Sequence, residues 1–311
     1  MTKSPTILAV GAAHIDRRGR VSGNYVPAAS NPGTMREDVG GNAFNALCCA
    51  MRRGASGSLL SVRGGDALAD TVSRAIAAAG IADLSAVFLD RATPSHTVLL
   101  DRDGAPIAGI ADMALYDLAL PKQIRRAKVR EAITAADAIL CDANLPSAAL
   151  ERLVGLAAGK PIFAIAVSPD KALRLAPVLG SLALAVMDRR EAIALAGADA
   201  TDQDLVGGLR RAGLRSGVVM AGDGLVLGFD EAGAFSILPP TRKIVDAAGA
   251  SDALAGATVA ALLHGQTLRA ALREGAAAAM LASESAELAP AFTAVAFAEA
   301  LALVPKAQEV T

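Results

Sequence analysis

The 311-residue chain is 53% hydrophobic but only 3% aromatic and has no Trp, so its core must be built from Ala, Val, Leu and Ile at close range. With 30 basic and 31 acidic residues the formal net charge is −1, which supplies no field to hold nucleic acid or an anionic membrane and points to a small-molecule partner. Residues 1–15 lack a secretory signal pattern and no apolar run reaches about 18 residues, so a cytoplasmic protein without membrane contact is expected.

In chain order, residues 7–10 read as a buried first strand ending at Gly11. Residues 17–39 are polar, rich in Gly and Pro, and lack helical periodicity, which predicts extended strands outside the main layer. A helix over 42–53, a strand near 58–62 and a helix capped by Asp66 and ending before Gly80 restore an alternating rhythm. A hairpin over 96–101 and 106–111, turning at Asp103-Gly104, interrupts it again. The two extended excursions, about 17–39 and 93–113, are expected to form one small β-sheet lid. Beyond them come strands at 138–142, 162–167 and 182–187, with helices from Pro146 and Asp170 and over 189–196 and 202–212. Strands at 218–221, 225–229 and 234–238 follow, the first two joined by the turn Gly222-Asp223-Gly224. Ala-rich helices are expected over 250–264, 267–283 and 295–303. Such alternation predicts a parallel sheet covered on both faces, and no linker divides the chain. Cys48, Cys49 and Cys141 form neither a CxxC pair nor a metal spacing and read as buried reduced thiols.

The segment Asp246-Ala-Ala-Gly249-Ala-Ser-Asp252-Ala-Leu-Ala-Gly256 sets a Gly-bearing turn at the start of a long apolar helix. Free backbone N–H groups and the positive end of the helix dipole converge there, which suits an anion. Asp252, in the first helical turn, is placed to accept a proton from an attacking hydroxyl while the amides steady a transferring phosphoryl group. The segment by itself does not separate this role from simple helix capping. No Walker-type G-x-x-x-x-G-K-[ST] and no dinucleotide fingerprint occurs.

Residues 246–256 resemble the C-terminal D-T-x-G-A-G-D-x-F-x-G signature of the ribokinase family of the phosphofructokinase-B type, with Ser251 in place of Gly. Gly40-Gly41-Asn-Ala-Phe-Asn45 resembles that family's N-terminal G-G-x-x-x-N, and Asp16 matches its diol-binding Asp. Asp188-Arg-Arg-Glu191 stands where the family has N-x-x-E. The resemblance implies an α/β ribokinase-like three-layer sandwich over 1–311, with a mainly parallel central sheet and the small β-sheet lid. It also implies ATP and Mg²⁺ as cofactors. Asp252 would be the base, with the backbone of Gly249, Ala250, Ser251 and Asp252 as anion hole. Asp16, Gly40, Gly41 and Asn45 would hold the acceptor, while Asp188, Gly222, Gly224, Ala248 and Gly249 would lie at the nucleotide. Glu191 would organise the water shell of Mg²⁺, and Asp246 would sit beside a monovalent cation such as K⁺, as in many family members.

Segments around Asp16, Ser30-Asn-Pro-Gly33, Thr93-Pro-Ser95, Ala111-Asp-Met113 and Asp142-Ala-Asn144 resemble the pseudouridine-kinase branch, which implies transfer to a nucleoside 5′-hydroxyl. Asn31, Ser95, Asp112 and Asn144 are then candidate substrate contacts; His14 or His96 could contact the acceptor, but a lone His near a strand end is more often structural. His14, Asn42, Phe44 and Ala166 depart from that branch. Another nucleoside, a free sugar such as ribose, or a catalytically degenerate nucleoside-binding regulator are the alternatives. Exposed lid strands favour pairing between copies, so a homodimer is expected.

Overall fold

The aliphatic run Thr6–Val10 (β1) sends Ile7 and Ala9 to one face of a sheet and Leu8 and Val10 to the other, and all four are buried. β2 (His14–Val21), β3 (Gly33–Gly40) and helix α1 (Asn42–Arg52) follow, then β4 (Ser56–Leu60), β5 (Val62–Gly64) and α2 (Ala67–Ala78). Short strands β6 (Ala82–Asp83) and β7 (Ala86–Phe88) precede β8 (Ser95–Leu100), β9 (Pro106–Asp112), α3 (Ala114–Gln123) and α4 (Ala127–Ala135). The βα rhythm then runs through β10 (Ala138–Asp142), α5 (Ser147–Ala157), β11 (Ile162–Ile165), α6 (Pro169–Ala172), β12 (Leu184–Asp188), α7 (Arg189–Ala196), α8 (Leu205–Arg211) and β13 (Gly217–Met220). β14 (Val226–Asp230), β15 (Gly233–Ile237), α9 (Ala250–Leu263), α10 (Leu268–Ser283), α11 (Ala294–Leu303) and β16 (Gln308–Glu309) complete the chain. This computed structural model describes residues 4–197, 204–222, 224–289 and 291–310.

A 10-stranded sheet has the order β16-β15-β14-β13-β12-β11-β10-β1-β4-β6. It is parallel from β6 to β13 and antiparallel from β13 to β16, so the expected parallel sheet carries an antiparallel end. The central parallel strands are buried on both faces, which is why they read as continuous aliphatic runs. One core lies between the sheet and α1, α9 and α10, the other between the sheet and α3, α4 and α5. Small residues let α9 approach α1 closely: a Cβ on Gly256 would lie 2.1 Å from the carbonyl oxygen of Ala46. That closeness brings the first turns of the two helices together at the site.

The second sheet, β3-β2-β8-β9, is the expected lid. β2 pairs antiparallel with β3 and parallel with β8, and the register sets Asp16 beside both Asp38 and His96. The reading of 58–62 as one strand is corrected: β4 ends at Leu60, and Val62 opens β5, which pairs with β7 in a separate two-stranded sheet. The helix expected from Asp170 is one α-turn that tightens into a 3₁₀ segment, Leu173–Ser181, containing Pro177. Of the helix expected over 202–212, residues 202 and 203 lie outside those described. Among the described residues no helix is long and apolar enough to cross a membrane.

Candidate active site

Asp252 occupies the first turn of α9, whose N-cap, Gly249, has φ 80° and offers no capping side chain. The N–H groups of this turn have no carbonyl of the same helix to bond; that of Ala250 reaches the Ala247 carbonyl oxygen at 3.3 Å. A Cβ at position 249 would meet the carbonyl oxygen of Leu288 at 2.3 Å, so glycine is demanded by both dihedral and space. Ser251 lies in regular helix and bears no positive φ, so its departure from glycine carries no strain. Gly249→Ala is expected to lower kcat by about 10²-fold and stability by about 1–3 kcal/mol, read by steady-state kinetics and thermal melting.

The Asp252 carboxylate is buried and accepts hydrogen bonds from the side-chain amides of Asn42 (2.8 Å, to Oδ1) and Asn45 (2.9 Å, to Oδ2). Burial, with the negative charges of Asp142 and Asp16 added to it, outweighs those two bonds and pushes its pKa up to about 7. Such a carboxylate is half ionised near neutrality, as a general base requires. Asn45, expected to grip acceptor hydroxyls, spends its amide N–H on Asp252 while its buried Oδ1 has no protein partner and remains available to a hydroxyl donor. Asn42 lies three residues before Asn45 on α1, and the i, i+3 spacing puts both amides on one helix face.

Gly41, with φ 116°, turns β3 into α1, and a Cβ there would lie 2.5 Å from the carbonyl oxygen of Ala12. At Gly40 the close neighbour is not a ligand: a Cβ would lie 2.0 Å from Asp16 Oδ2, so the absent side chain makes room for that carboxylate. Behind them, fully buried Asp142 accepts from the backbone N–H of Ala12 (2.8 Å), Ala43 (3.0 Å) and Asn144 (3.0 Å), pinning three segments of the site. Burial raises the Asp142 pKa despite these bonds.

Asp16 stands between two histidines, 3.3 Å from His96 Nδ1 and 3.6 Å from His14 Nε2. Burial by itself would raise its pKa, but bonding to His14 and His96 and their charge hold it at about 2. The Tyr116 hydroxyl accepts from the Ala13 N–H (3.1 Å) and lies 3.2 Å from His14 Nδ1. If the hydroxyl donates to Nδ1, the His14 proton resides on Nε2, facing Asp16. Ser95 and Asp112 pair with each other at the base of the lid, next in register to His96. Asn31 sits at the other end of the lid hairpin, its amide spent on the backbone of Val26 and Ala29. Asn144 accepts from Lys171 Nζ at 2.6 Å, and its buried Nδ2 has no protein partner.

On the other side of Ser251 a cavity of about 1090 Å³ opens, lined among others by Asp188, Arg190, Gly222, Gly224, Lys243 and Ala250. Asp223 lies outside the described residues. Ala247 lines this cavity, and the Ala248 N–H donates to Asp246 Oδ1 (2.9 Å). Asp188 caps α7: it accepts the Glu191 N–H at 2.8 Å while Glu191 accepts the Asp188 N–H at 2.7 Å. Asp serves this N-cap as well as the Asn it replaces. Burial pushes the Glu191 pKa up to about 7.

The pattern described as pfkB family carbohydrate kinase matches residues 4–292. The chain belongs to the pfkB family of carbohydrate kinases. Among solved structures, a carbohydrate kinase from Agrobacterium tumefaciens is 41% identical with a TM-score of 0.86, covering 98% of this chain and 100% of that one. An Arabidopsis thaliana ribokinase complexed with ribose and ATP shares the fold at 20% identity, TM-score 0.81, over 96% and 99%. An uncharacterized sugar kinase of Escherichia coli, YeiI, is 28% identical over 93% of this chain and 81% of its own. The pseudouridine kinase of the same bacterium is 25% identical over 82% of each.

In this pfkB-family kinase Asn45 bonds Asp252 directly and Asp16 lies against Gly40, while Asp188, Gly222, Gly224, Ala250 and Ser251 line the neighbouring cavity. Sequence reasoning treated Asn42 only as a departure and did not foresee Arg18, whose guanidinium reaches Asp246. The helical spacing from Asn45 was the signal for Asn42. For Arg18 no local pattern existed.

Proposed function

We propose that this sugar kinase transfers the γ-phosphoryl group of ATP to the 5′-hydroxyl of a nucleoside, with pseudouridine as the preferred acceptor. The observation that carries the transfer is the position of Asp252. It is a buried carboxylate with a pKa near neutrality, at the uncapped N-terminus of α9, between the Asp16 cluster and the cavity beyond Ser251.

Asp16 and the free Oδ1 of Asn45 hold the acceptor hydroxyls. Asp252 takes the proton of the attacking hydroxyl, the new O–P bond forms as the bond from γ-phosphorus to the ADP oxygen breaks, and the N–H groups of the Gly249 turn receive the migrating charge. Arg190 and Lys243 line the cavity where phosphates would lie. Mg²⁺ characteristically retains several waters and takes its remaining ligands from phosphates, so Asp188, which lines the cavity, suits contact through water, and Glu191 would act by holding Asp188 in place; when bound, the ion would neutralise phosphate charge. The lid shields the transfer from water.

The pseudouridine assignment draws on the sequence segments around Ser95, Asp112 and Asp142 and on similarity to a pseudouridine kinase. Ser95 and Asp112, beside His96, are the groups available to a base edge. Asn31 is committed to its own loop. The test is ADP release with Mg-ATP and pseudouridine, uridine, ribose or no acceptor. The expected result is kcat/KM highest for pseudouridine and negligible release without acceptor. Faster turnover of ribose would discard the nucleoside, and no turnover with any sugar or nucleoside would discard the kinase reading.

A further inference from the structure

The monovalent cation that resemblance sets beside Asp246 does not fit the residues found there. Of the two Asp246 carboxylate oxygens, Oδ1 accepts the Ala248 N–H, and Oδ2 is in contact with Arg18 Nη1. Arg18 belongs to lid strand β2, two residues after Asp16 and therefore on the same strand face. Its side chain is 10% exposed, and its other terminal nitrogen reaches Asp38 Oδ2 on β3 (2.6 Å) and the carbonyl oxygen of Ala286 (3.2 Å). A second carbonyl of the same loop, that of Ala289, accepts from Arg52 at 3.1 Å. Asp38 is also paired with Arg36 at 2.7 Å, so Arg36, Asp38, Arg18 and Asp246 form a chain of two positive and two negative charges. The Asp246 carboxylate and the loop carbonyls of Ala286 and Ala289 are thus engaged by the Ala248 N–H and by arginines, and an added positive charge would leave the cluster unbalanced.

We infer that Arg18 is a built-in cation: its guanidinium takes the place of a monovalent ion beside Asp246, and it locks the lid strand to the turn that shapes the anion hole, making the enzyme independent of added K⁺. The mechanical path is short. Asp246 holds the Ala248 N–H, Ala248 precedes Gly249, and the Leu288 carbonyl against which Gly249 packs lies two residues beyond Ala286. A fixed guanidinium fork therefore orients the turn from one side and the loop from the other. Arg18 is a positioning residue, since it acts on the Gly249 turn through Asp246.

The activity arm of the test rests on the phosphoryl-transfer reading, and a melting arm does not. Wild type, Arg18→Ala and Arg18→Lys are compared in KCl and in choline chloride at equal ionic strength. Wild-type kcat is expected to agree within about twofold between the two salts, whereas Arg18→Ala in choline loses about 10²-fold in kcat with a smaller change in acceptor KM. K⁺ should restore Arg18→Ala to within about tenfold of wild type, and Arg18→Lys should retain cation independence. By melting, K⁺ should raise the Tm of Arg18→Ala over choline and leave the wild-type Tm unmoved. Activation or stabilisation of wild type by K⁺ would overturn the inference, as would an Arg18→Ala protein that responds to neither salt yet keeps full activity. If no acceptor is turned over, the kinase reading fails and the Tm comparison alone decides for or against Arg18.

Discussion

Replacing Asp252 by Asn is expected to lower kcat by about 10³-fold while leaving a folded protein that is more stable than wild type at pH 8. The loss follows from removing the one carboxylate set at the start of α9 between acceptor and nucleotide, and Asn has no lone pair basic enough to take the proton. The gain in stability follows from linkage. Burial holds Asp252 at about 7 in the folded protein, above its ordinary 3.8, so folding favours the protonated form. Wild-type stability therefore falls as pH rises from about 4 to 7 and levels off above, and Glu191, also at about 7, acts in the same direction. Ionised Asp252 carries a penalty of about 4 kcal/mol as a ceiling, which the Asn variant lacks. Part of that gain is offset because Asn42 and Asn45 both donate, and one would face an NH₂ group unless half-exposed Asn42 turns its amide over. Melting at pH 8 and pH 5 checks the sign: the variant's advantage shrinks at the lower pH.

Asp16→Asn should cut kcat/KM for the acceptor by about 10²- to 10³-fold, with KM for ATP unchanged within about twofold. Asp16, held at about 2 by its histidines, is ionised throughout the working range and offers charged acceptors to hydroxyl donors. Each such bond contributes about 1.5–3 kcal/mol, and the Asn amide would present an N–H where an acceptor is needed. The Gly40 vacancy admits Asn without a clash, so the variant reports charge and hydrogen bonding and not packing. Initial rates against acceptor concentration at saturating ATP give the split directly.

Where a local pattern governed the structure, the sequence was readable. Asp66 and Thr267 accept from Ala69 and Ala270 as helix caps, the lid strands fall where Gly and Pro disrupt helical spacing, and the aliphatic runs form the parallel sheet. α3 and α4 had no such signature. α3 contains Pro121, and apolar groups such as buried Leu120 and exposed Leu118 appear around its circumference, which erases the amphipathic stripe. β6, β7 and β16 are two or three residues long, too short to show alternation. In the site, the Gly249 turn and Asp252 were legible because a helix start is local. The Arg18–Asp246 pair spans 228 positions in the chain and depends on how the lid lies against the body, which no local spacing encodes.

The central claim, that Asp252 works as the base of a phosphoryl transfer, is met most directly by the pH dependence of kcat/KM for the acceptor at saturating Mg-ATP, measured on wild type and Asp252→Asn. The wild-type rate is expected to rise about tenfold per pH unit below about 7 and to reach a plateau above it, with a residual Asn-variant rate that lacks this limb. A wild-type profile flat down to pH 5, or the same rising limb in the variant, would contradict it.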